Sequence, residues 1–404
     1  MEGATSFFGC RPGALQHARA VLAQHCSDEA IAALAELKRR ADRVLRDNDI
    51  LSVVHKTQLP PSGDKHDYAS YAPYWWPDPD SASGLPYVRR DGVMNPDAKD
   101  DTISDSSRRI KLELTMRTAC MAYYFTGEEK YAAYALRQAR CWFLDEETRM
   151  NPHLTYAQAR RGSIESGNRC GLLEGRHIIQ AADALGMIAE AEGWRAGERE
   201  QLDEWLRRFL DWYIHSHQGE AESRAENNHG SFYDEQVARL ALCLGRGDLA
   251  QQVLQQATQK RIAAQVDADG RMPAELARTN SLSYSMLNLR ALCALAVLGE
   301  HVGVDLWSYR SEGGGCIAAA FDFVSPYIDP QANAAAMWPY EQQQPFAFDA
   351  AGLAALPELR MAALVLCRPE YEDLAGRLRG SSGSSKFDAF LATCGKSGID
   401  TDFQ

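Results

Sequence analysis

The sequence lacks the short signatures by which many enzyme classes are recognised. It contains no glycine-rich phosphate loop, no serine nucleophile elbow, no CxxC pair and no Cys/His cluster at metal-ligand spacing. Runs of alternating Val, Ile and Thr are nearly absent, so any sheet must be small. No metal and no cofactor are therefore predicted.

Basic residues are in the minority. The chain has 43 Lys and Arg against 55 Asp and Glu, a formal net charge of -12. Phosphate binding needs a basic footprint, so nucleic acid is not expected as a partner. A run of about 18 apolar residues is also missing, so no membrane span is predicted. A small or polymeric anion bound in a locally basic cleft remains compatible with this charge.

The ten cysteines are scattered along the 404 residues, and a disulfide scaffold is not expected in a chain this long. Cys120, Cys243 and Cys293 lie in apolar helical patterns, where a free thiol behaves as a small buried hydrophobe. The opening stretch MEGATSFFGCRPG has no basic segment followed by an apolar one. No secretion signal is therefore predicted from it.

Apolar residues recur with a period near 3.6 along most of the chain, as Ile31, Leu34 and Leu37 do in 28–47, and Ile110 and Leu114 in 107–126. The predicted helices are about 28–47, 107–126, 128–144, 172–193, 197–217, 231–245, 247–267, 281–300, 313–327 and 357–367. Helices of similar length joined by short turns predict an all-α fold, an α/α toroid built as an incomplete barrel of paired antiparallel helices. One domain is expected over residues 1–380, followed by a flexible tail at 381–404.

The main interruption is residues 57–106, rich in Pro, Gly, Asp and aromatic side chains. A segment of this length suggests a substrate lid or binding loop. This segment contains Tyr74, Trp75 and Trp76. These side chains either pack the loop against the helices or bind the face of a sugar ring. Sugar binding would use the apolar faces and polar edges of their rings. Arg89 follows closely and suggests an anionic ligand. A second irregular stretch lies near 328–349.

Residues 150–185 form a second cluster of polar side chains near a helix start. Arginine offers a fork of donors that matches a carboxylate, and a helix start adds positive potential. The alternative is a capping region with ordinary salt bridges. The candidate ligand-binding residues here are Gln158, Arg160, Arg161, Asn168, Arg169, Arg176 and His177.

Two further motifs lie at predicted helix starts. NNHGSFYDEQ contains Asn228 and His229, and ELARTNSLSYSM contains Arg278, Asn280 and Tyr284. Helix capping accounts for one asparagine of the first motif, either Asn227 or Asn228. A packed core tyrosine and an ordinary salt bridge to Glu275 would account for the second motif.

Taken together, Asn, His, Arg and Tyr without a metal motif suit one reaction class, β-elimination from a uronate. The carbon-5 proton is weakly acidic and sits beside a carboxylate, so donors must first neutralise that carboxylate. A His or Tyr then removes the proton, and a Tyr protonates the departing 4-oxygen.

Several long blocks, in order, resemble the alginate lyase-like polysaccharide lyases over about residues 50–345. They are DKHDYASYAPYWWPDP, GLPYVRRDG, TRMNPHLTYAQA, ENNHGSFYDEQ, ELARTNSLSYSMLNL and GVDLW. The resemblance implies a helical toroid that cleaves alginate or, in a similar branch, glucuronan. This chain departs from the family pattern at Phe232, where Trp is usual, and at Asn280, where Arg is usual.

The resemblance also implies residue roles. Asn228 is similar to the carboxylate neutraliser, and His229 to the base or its orienting partner. Arg278 resembles the residue that positions the carboxylate and the tyrosine, and Tyr284 the catalytic acid, or acid and base together. The implied substrate-binding residues are Tyr74, Trp75, Trp76, Arg89, Gln158, Arg161, Asn168, Arg176, His177 and Asn280.

Two other functions remain open from the sequence. A glycoside hydrolase would need a pair of carboxylates, for which Glu165, Glu174, Asp234 and Glu275 are candidates by position. A non-catalytic carbohydrate-binding protein would keep the aromatic loop but would not need a buried His and Tyr. The expected partner is an anionic polyuronate, and such a polymer favours a secreted or periplasmic location. The sequence leaves the polymer, the endo or exo mode and the oligomeric state open.

Overall fold

Helical periodicity dominates the sequence, and the computed structural model is mostly helical. It describes residues 6–24, 28–164, 166–329, 331, 337–343, 356–378 and 386–394. The helices are α1 Ala14–Ala23, α2 Asp28–Asp47, α3 Ser106–Thr126, α4 Glu129–Ala139, α5 Gly175–Ala184, α6 Glu198–His215, α7 His217–Ser223, α8 Asn228–Cys243, α9 Gly247–Ala257, α10 Pro273–Leu276, α11 Ser281–Glu300, α12 Ile317–Ile328, α13 Leu356–Val365, α14 Pro369–Leu378 and α15 Lys386–Ala392.

Local sequence explains where several of these helices begin and end. The first turn of α2 carries Asp28 and Glu29, which are favourable at the positive end of the helix dipole. Helix α3 ends at Gly127, whose positive φ of 69° is the usual glycine stop. Helices α4 and α9 each continue into one wide π turn, at Arg140–Leu144 and Thr258–Ala263.

The described strands are few and short, as the sequence predicts. Strand β1 Ala69–Tyr71 pairs in parallel with β4 Tyr156–Ala159, and β2 Trp75–Trp76 pairs antiparallel with β3 Val88–Arg89. Three of the four strands lie within the 57–106 segment, which is therefore a structured loop. Its role as a lid stays a prediction.

The chain divides into two compact units. Unit 1 takes the described parts of Met1–Phe7, Arg39–Ala225 and Arg239–Arg246, and unit 2 takes those of Phe8–Lys38, Glu226–Ala238 and Gly247–Gln404. In unit 1, α3 packs against α4 and α5; in unit 2, α11 packs against α9, α10 and α12.

The prediction of one domain over residues 1–380 stays a prediction. Of the tail at 381–404, only residues 386–394 are described, and they contain α15.

The apolar residues that give α2 and α3 their helical period are only partly buried. Ile31, Ile110 and Leu114 are 44%, 42% and 47% exposed, respectively. The buried face of α3 instead carries Leu112 and Met116. Two residues along a helix turn the side chain by about 200°, so Ile110 and Leu114 lie on the opposite side from Leu112 and Met116.

One described helix, α11, is long and apolar enough by length and composition to cross a membrane. Most of its residues are buried within the protein, which is also the pattern of a core helix. The nine cysteines of the described residues all have free thiols.

Candidate active site

The stretch NNHG forms the first turn of α8 in unit 2. The side-chain oxygen of Asn227 accepts from the N–H of His229 at 3.2 Å, and the Asn227 carbonyl accepts from Gly230 at 2.9 Å. This confirms the predicted capping role of Asn227. Asn228 is fully buried and His229 half-buried. The cap thus leaves Asn228 for another interaction.

That interaction is with Glu275, in the short helix α10. The carboxylate of Glu275 accepts from the main-chain N–H of Asn228 at 2.6 Å and from its amide Nδ2 at 2.8 Å. The Oδ1 atom of Asn228 is buried and has no hydrogen-bond partner within the described part of the chain. A buried amide oxygen without a partner is costly, so this atom is suited to accept a hydrogen bond from a ligand donor such as a hydroxyl group.

Glu275 is fully buried, and its burial raises the pKa of its carboxyl group above the ordinary value. The two hydrogen bonds from Asn228 and the electrostatic interactions with Arg278 and His229 act in the opposite direction. Glu275 therefore interacts with three of the four predicted catalytic residues, Asn228, His229 and Arg278.

Arg278 and Tyr284 form the second half of this group. The Nη2 atom of Arg278 donates to the hydroxyl of Tyr284 at 2.8 Å, and its guanidinium lies 3.8 Å from the centre of the Tyr284 ring. Tyr284 is half-buried. A cation this close to a phenol oxygen stabilises negative charge on it, and a tyrosine held this way can give or take a proton.

The start of α11, which carries Tyr284, is held by residues 337–343. Asn280 pairs with Gln342, and the main-chain N–H and hydroxyl of Ser281 both donate to the carbonyl of Glu341, at 3.1 and 2.6 Å. The indole N–H of Trp338 donates to the Ser281 hydroxyl at 2.7 Å. These bonds fix the turn from which Tyr284 projects.

The aromatic residues predicted to bind substrate lie in unit 1. Trp75 and Trp76 form β2 and pair with Arg89 and Val88, respectively. The guanidinium of Arg160 lies 4.3 Å from the centre of the Trp75 ring. Tyr74 precedes β2 and is half-buried like both tryptophans. Strand pairing thus brings rings and guanidinium groups together in one place.

Arg161 and Gln158 belong to the same surface. The guanidinium of Arg161 lies 4.4 Å from the Tyr71 ring centre and 5.9 Å from that of Tyr87. Gln158 has a positive φ of 51°, which is uncommon for a residue other than glycine, and its N–H donates to Ser70 at 2.8 Å. Strain of this kind is frequent at functional sites.

Asn168 serves the local backbone. Its side-chain oxygen accepts from the N–H of Cys170 at 2.9 Å, and its amide donates to the carbonyl of Gln158. These bonds correspond to the capping alternative for this region. Substrate binding by Asn168 stays a prediction.

His177 and Arg176 lie in the first turn of α5. The Nδ1 atom of His177 lies 2.7 Å from Glu113, and its Nε2 accepts from Nε of Arg176 at 3.3 Å. Burial lowers the pKa of His177 to about 4, although the Glu113 hydrogen bond opposes this. Burial alone would raise the pKa of Glu113, but the bond to His177 and the charge of Arg117 bring it to about 2. His177 is therefore a neutral donor to an ionised carboxylate, and its role in substrate binding stays a prediction.

Two functional candidates were missed or undervalued by sequence reasoning. Glu275 was considered only as a salt-bridge partner of Arg278 or as a hydrolase carboxylate, because its partner Asn228 is 47 residues away. Arg160 was grouped with its neighbours but not selected. The described residues contain no group of three or more His, Cys, Asp and Glu side chains that could hold a metal ion.

Comparison with known proteins identifies the family. Residues 52–334 match the alginate lyase family. Among solved structures, an alginate lyase from Bacteroides ovatus is 34% identical, with a TM-score of 0.85 over 94% of this chain and 97% of that chain. No curated protein matches this chain.

More distant structures share the fold. Alginate lyase A1-III from Sphingomonas species A1 is 16% identical, with a TM-score of 0.52 over 89% of this chain and 95% of that one. A histidine-to-alanine variant of alginate lyase A1-III, solved with a tetrasaccharide, is 18% identical, with a TM-score of 0.52 over 90% of this chain and 95% of that one. The predicted fold class, all-α of the α/α toroid type, is confirmed by this similarity. The chain belongs to the alginate lyase family and is a polysaccharide lyase.

Proposed function

We propose that the chain cleaves a 1,4-linked polyuronate, either glucuronan or alginate and its polymannuronate blocks, by metal-independent β-elimination that leaves 4,5-unsaturated uronate ends. The observation that carries this proposal is the contact of Arg278 with Tyr284, a 2.8 Å hydrogen bond to the hydroxyl. It lies in the same unit as the buried Asn228 and its neighbour His229.

The first requirement of the reaction is stabilisation of the negative charge that develops on the substrate carboxylate. An amide nitrogen has two N–H donors, and only one donor of Asn228 is used by Glu275. The second can bind the carboxylate, together with Arg278. Donors fixed before the reaction stabilise a developing enolate-like charge most effectively.

The second requirement is proton transfer. As the carbon-5 proton leaves, its electron pair forms the double bond between carbons 4 and 5, and the bond from carbon 4 to oxygen breaks. The departing oxygen takes the proton of Tyr284. Where the carbon-5 proton and the 4-oxygen lie on one face of the sugar ring, Tyr284 starts as a phenolate held by Arg278, takes the carbon-5 proton and passes it to the departing oxygen. Where they lie on opposite faces, a neutral His229 accepts the carbon-5 proton and a protonated Tyr284 gives its own proton to the departing oxygen.

Substrate binding is assigned to the ten residues predicted from the sequence, nine in unit 1 and Asn280 in unit 2. Supporting this assignment, Arg160 and Arg161 each lie within 4.5 Å of an aromatic ring centre in an otherwise acidic chain. Rings bind sugar faces, and arginine matches carboxylates. The 57–106 segment, which carries Tyr74, Trp75, Trp76 and Arg89, is proposed as the substrate lid.

The hydrolase alternative needs two accessible carboxylates. Glu174 is buried and accepts from Tyr68 and Ser70, at 2.7 and 2.6 Å. Asp234 is buried in a two-bond pair with Arg261, and Glu275 is bonded to Asn228. Glu165, the fourth candidate, lies outside the described residues. These engagements favour elimination over hydrolysis.

The test measures ultraviolet absorbance at about 235 nm, where the unsaturated uronate absorbs. Separate incubations contain alginate, polymannuronate, polyguluronate or glucuronan, each with a chelator present. Alginate comes first, since the 34% identical solved relative is an alginate lyase. A rise is expected with one or more polymers, and the fastest defines the substrate. New reducing ends without absorbance would indicate hydrolysis, and binding without either product would indicate a binding protein.

A further inference from the structure

Arg160 differs from two arginines close to it, Arg89 and Arg169. Arg89 is paired with Asp91 at 2.6 Å, and Arg169 with Glu222 at 2.6 Å. Arg160 has no ion-pair partner among the described residues, and its Nε atom is buried without a hydrogen-bond partner there. A partly buried guanidinium group without a counter-charge is unfavourable in an unliganded protein.

The surroundings of Arg160 increase this electrostatic cost. Burial lowers the pKa of Arg160 below the ordinary arginine value; Cys170 acts in the opposite direction, and the positive charges of Arg89 and Arg169 lower it further. Burial of a guanidinium group near other positive charges costs free energy, and binding of an anion offsets that cost.

The backbone holds Arg160 in place. Its N–H donates to the carbonyl of Ile164 at 2.7 Å, and its own carbonyl accepts from Ile164 at 2.9 Å. Gly162, at the tip of this turn, has a φ of 77°, and a Cβ there would lie 2.9 Å from the Cα of Pro86. The turn thus leaves little freedom, and the stack on Trp75 orients the guanidinium plane. Such preorganisation lowers the entropy lost on binding.

We infer that Arg160, stacked on Trp75, is the anchor of an anion subsite that binds the carboxylate of a uronate unit in the polymer. This inference rests on the proposed function for the identity of the ligand. Planar, bidentate recognition of a carboxylate is the contact for which arginine is best suited, and lysine is not equivalent to it.

The experiment measures binding and turnover separately. Arg160→Ala, Arg160→Lys and the control Arg208→Ala, which alters an exposed arginine on α6, are compared with the unmodified chain. Calorimetry gives Kd for a short oligouronate and for the same oligosaccharide with its carboxyl groups reduced to alcohols. Absorbance gives kcat and KM on the polymer.

Arg160→Ala is expected to raise Kd and KM about tenfold or more, the size of a lost charge-assisted hydrogen bond, while kcat changes less than about twofold. Arg160→Lys is expected to recover only part of the affinity, and Arg208→Ala to behave as unmodified. The reduced oligosaccharide is expected to bind weakly and equally to all four proteins. The melting temperature of unliganded Arg160→Ala is expected not to fall, because the substitution removes an unpaired charge.

Equal affinity of Arg160→Ala and the unmodified chain for the oligouronate would overturn the inference, as would an equal loss for the charged and the reduced ligand. Failure of the unmodified chain to bind any oligouronate would overturn it too. Binding that depends on Arg160 without any absorbance rise would instead overturn the lyase mechanism and leave the anion subsite standing.

Discussion

The carboxylate of Glu275 accepts both the main-chain N–H and the side-chain amide of Asn228. This double contact holds the first residue of α8 against α10, three residues before Arg278. The orientation of the Asn228 amide, which is proposed to meet the substrate carboxylate, therefore depends on Glu275. Glu275 is a positioning residue in this scheme.

Replacing Glu275 by Gln tests that role. The amide oxygen of the new Gln can still accept one hydrogen bond from Asn228. The negative charge is lost, and the new NH2 group faces the second N–H donor of Asn228, with which it cannot bond. We expect kcat to fall about tenfold or more, with a smaller change in KM and a stability loss of about 1–3 kcal/mol. Steady-state kinetics and urea unfolding measure these values. The exposed Glu312→Gln variant is the control, and unchanged kcat in Glu275→Gln would refute the positioning role.

Removing the hydroxyl of Tyr284 tests the proton transfer. Tyr284→Phe keeps the ring under Arg278 but removes the group that gives and takes the proton, so kcat is expected to fall by roughly 100-fold or more. Tyr309→Phe is a matched control, because the Tyr309 hydroxyl accepts from Gln259 in the same unit. Near-normal kcat in Tyr284→Phe would refute the assignment of Tyr284 as the acid. This conclusion requires that both variants have the melting temperature of the unmodified chain.

A substitution in the buried pair of Asp234 and Arg261 distinguishes the elimination mechanism from the hydrolysis mechanism. Asp234→Asn leaves Arg261 buried without its counter-charge, which is expected to cost about 3 kcal/mol of unfolding free energy. Activity per folded molecule, measured well below the melting temperature, should remain near that of the unmodified chain. A loss of turnover by orders of magnitude in still-folded protein would favour a catalytic carboxylate.

The contact of His177 with Glu113 makes stability depend on pH. His177 titrates with a pKa of about 4 in the folded protein and near 6.5 when unfolded, so the unfolded chain binds the proton first as the pH falls. The contribution of neutral His177 to the free energy of unfolding is therefore fully present above about pH 6.5. It falls by about 3 kcal/mol as the pH is lowered toward 4. Glu113, with a pKa of about 2, adds a further loss below its unfolded value of 4.5.

Urea unfolding from pH 7 to pH 4 checks this dependence. His177→Gln, whose amide can still donate to Glu113, is expected to flatten the slope between pH 6.5 and pH 4. The control His215→Gln alters a histidine whose side chain is 70% exposed and should keep the slope. A slope unchanged by His177→Gln would mean that other groups cause the acid loss.

The sequence alone was sufficient for the fold class and for most helices of the described residues. Helix α11 lies over 281–300 as predicted, and α3 differs from its prediction by one residue. Periodicity did not reveal which side of α3 is buried. That side depends on the helices that pack on it, so the exposure of Ile110 and Leu114 could not be predicted from their spacing.

The candidate site could be predicted only where neighbours in the sequence are neighbours in space. Arg278 and Tyr284 are six residues apart and do make contact. The bond between Glu275 and Asn228 joins residues 47 apart and leaves no local pattern. The missing counter-charge of Arg160 is a property of its surroundings, so no motif could show it.

The wide turn at Thr258–Ala263 allows this part of the chain to carry one extra residue. A π turn holds one residue more than an α turn, whereas an extra residue in a regular α-helix rotates everything that follows by about 100°. Because the turn takes up the extra residue locally, Arg261 faces Asp234, and Gln265 contacts Ser231 and Asn288. In an alignment of related chains, a one-residue gap at this turn is therefore expected to be compatible with these contacts, whereas a gap in the regular part of α9 is not.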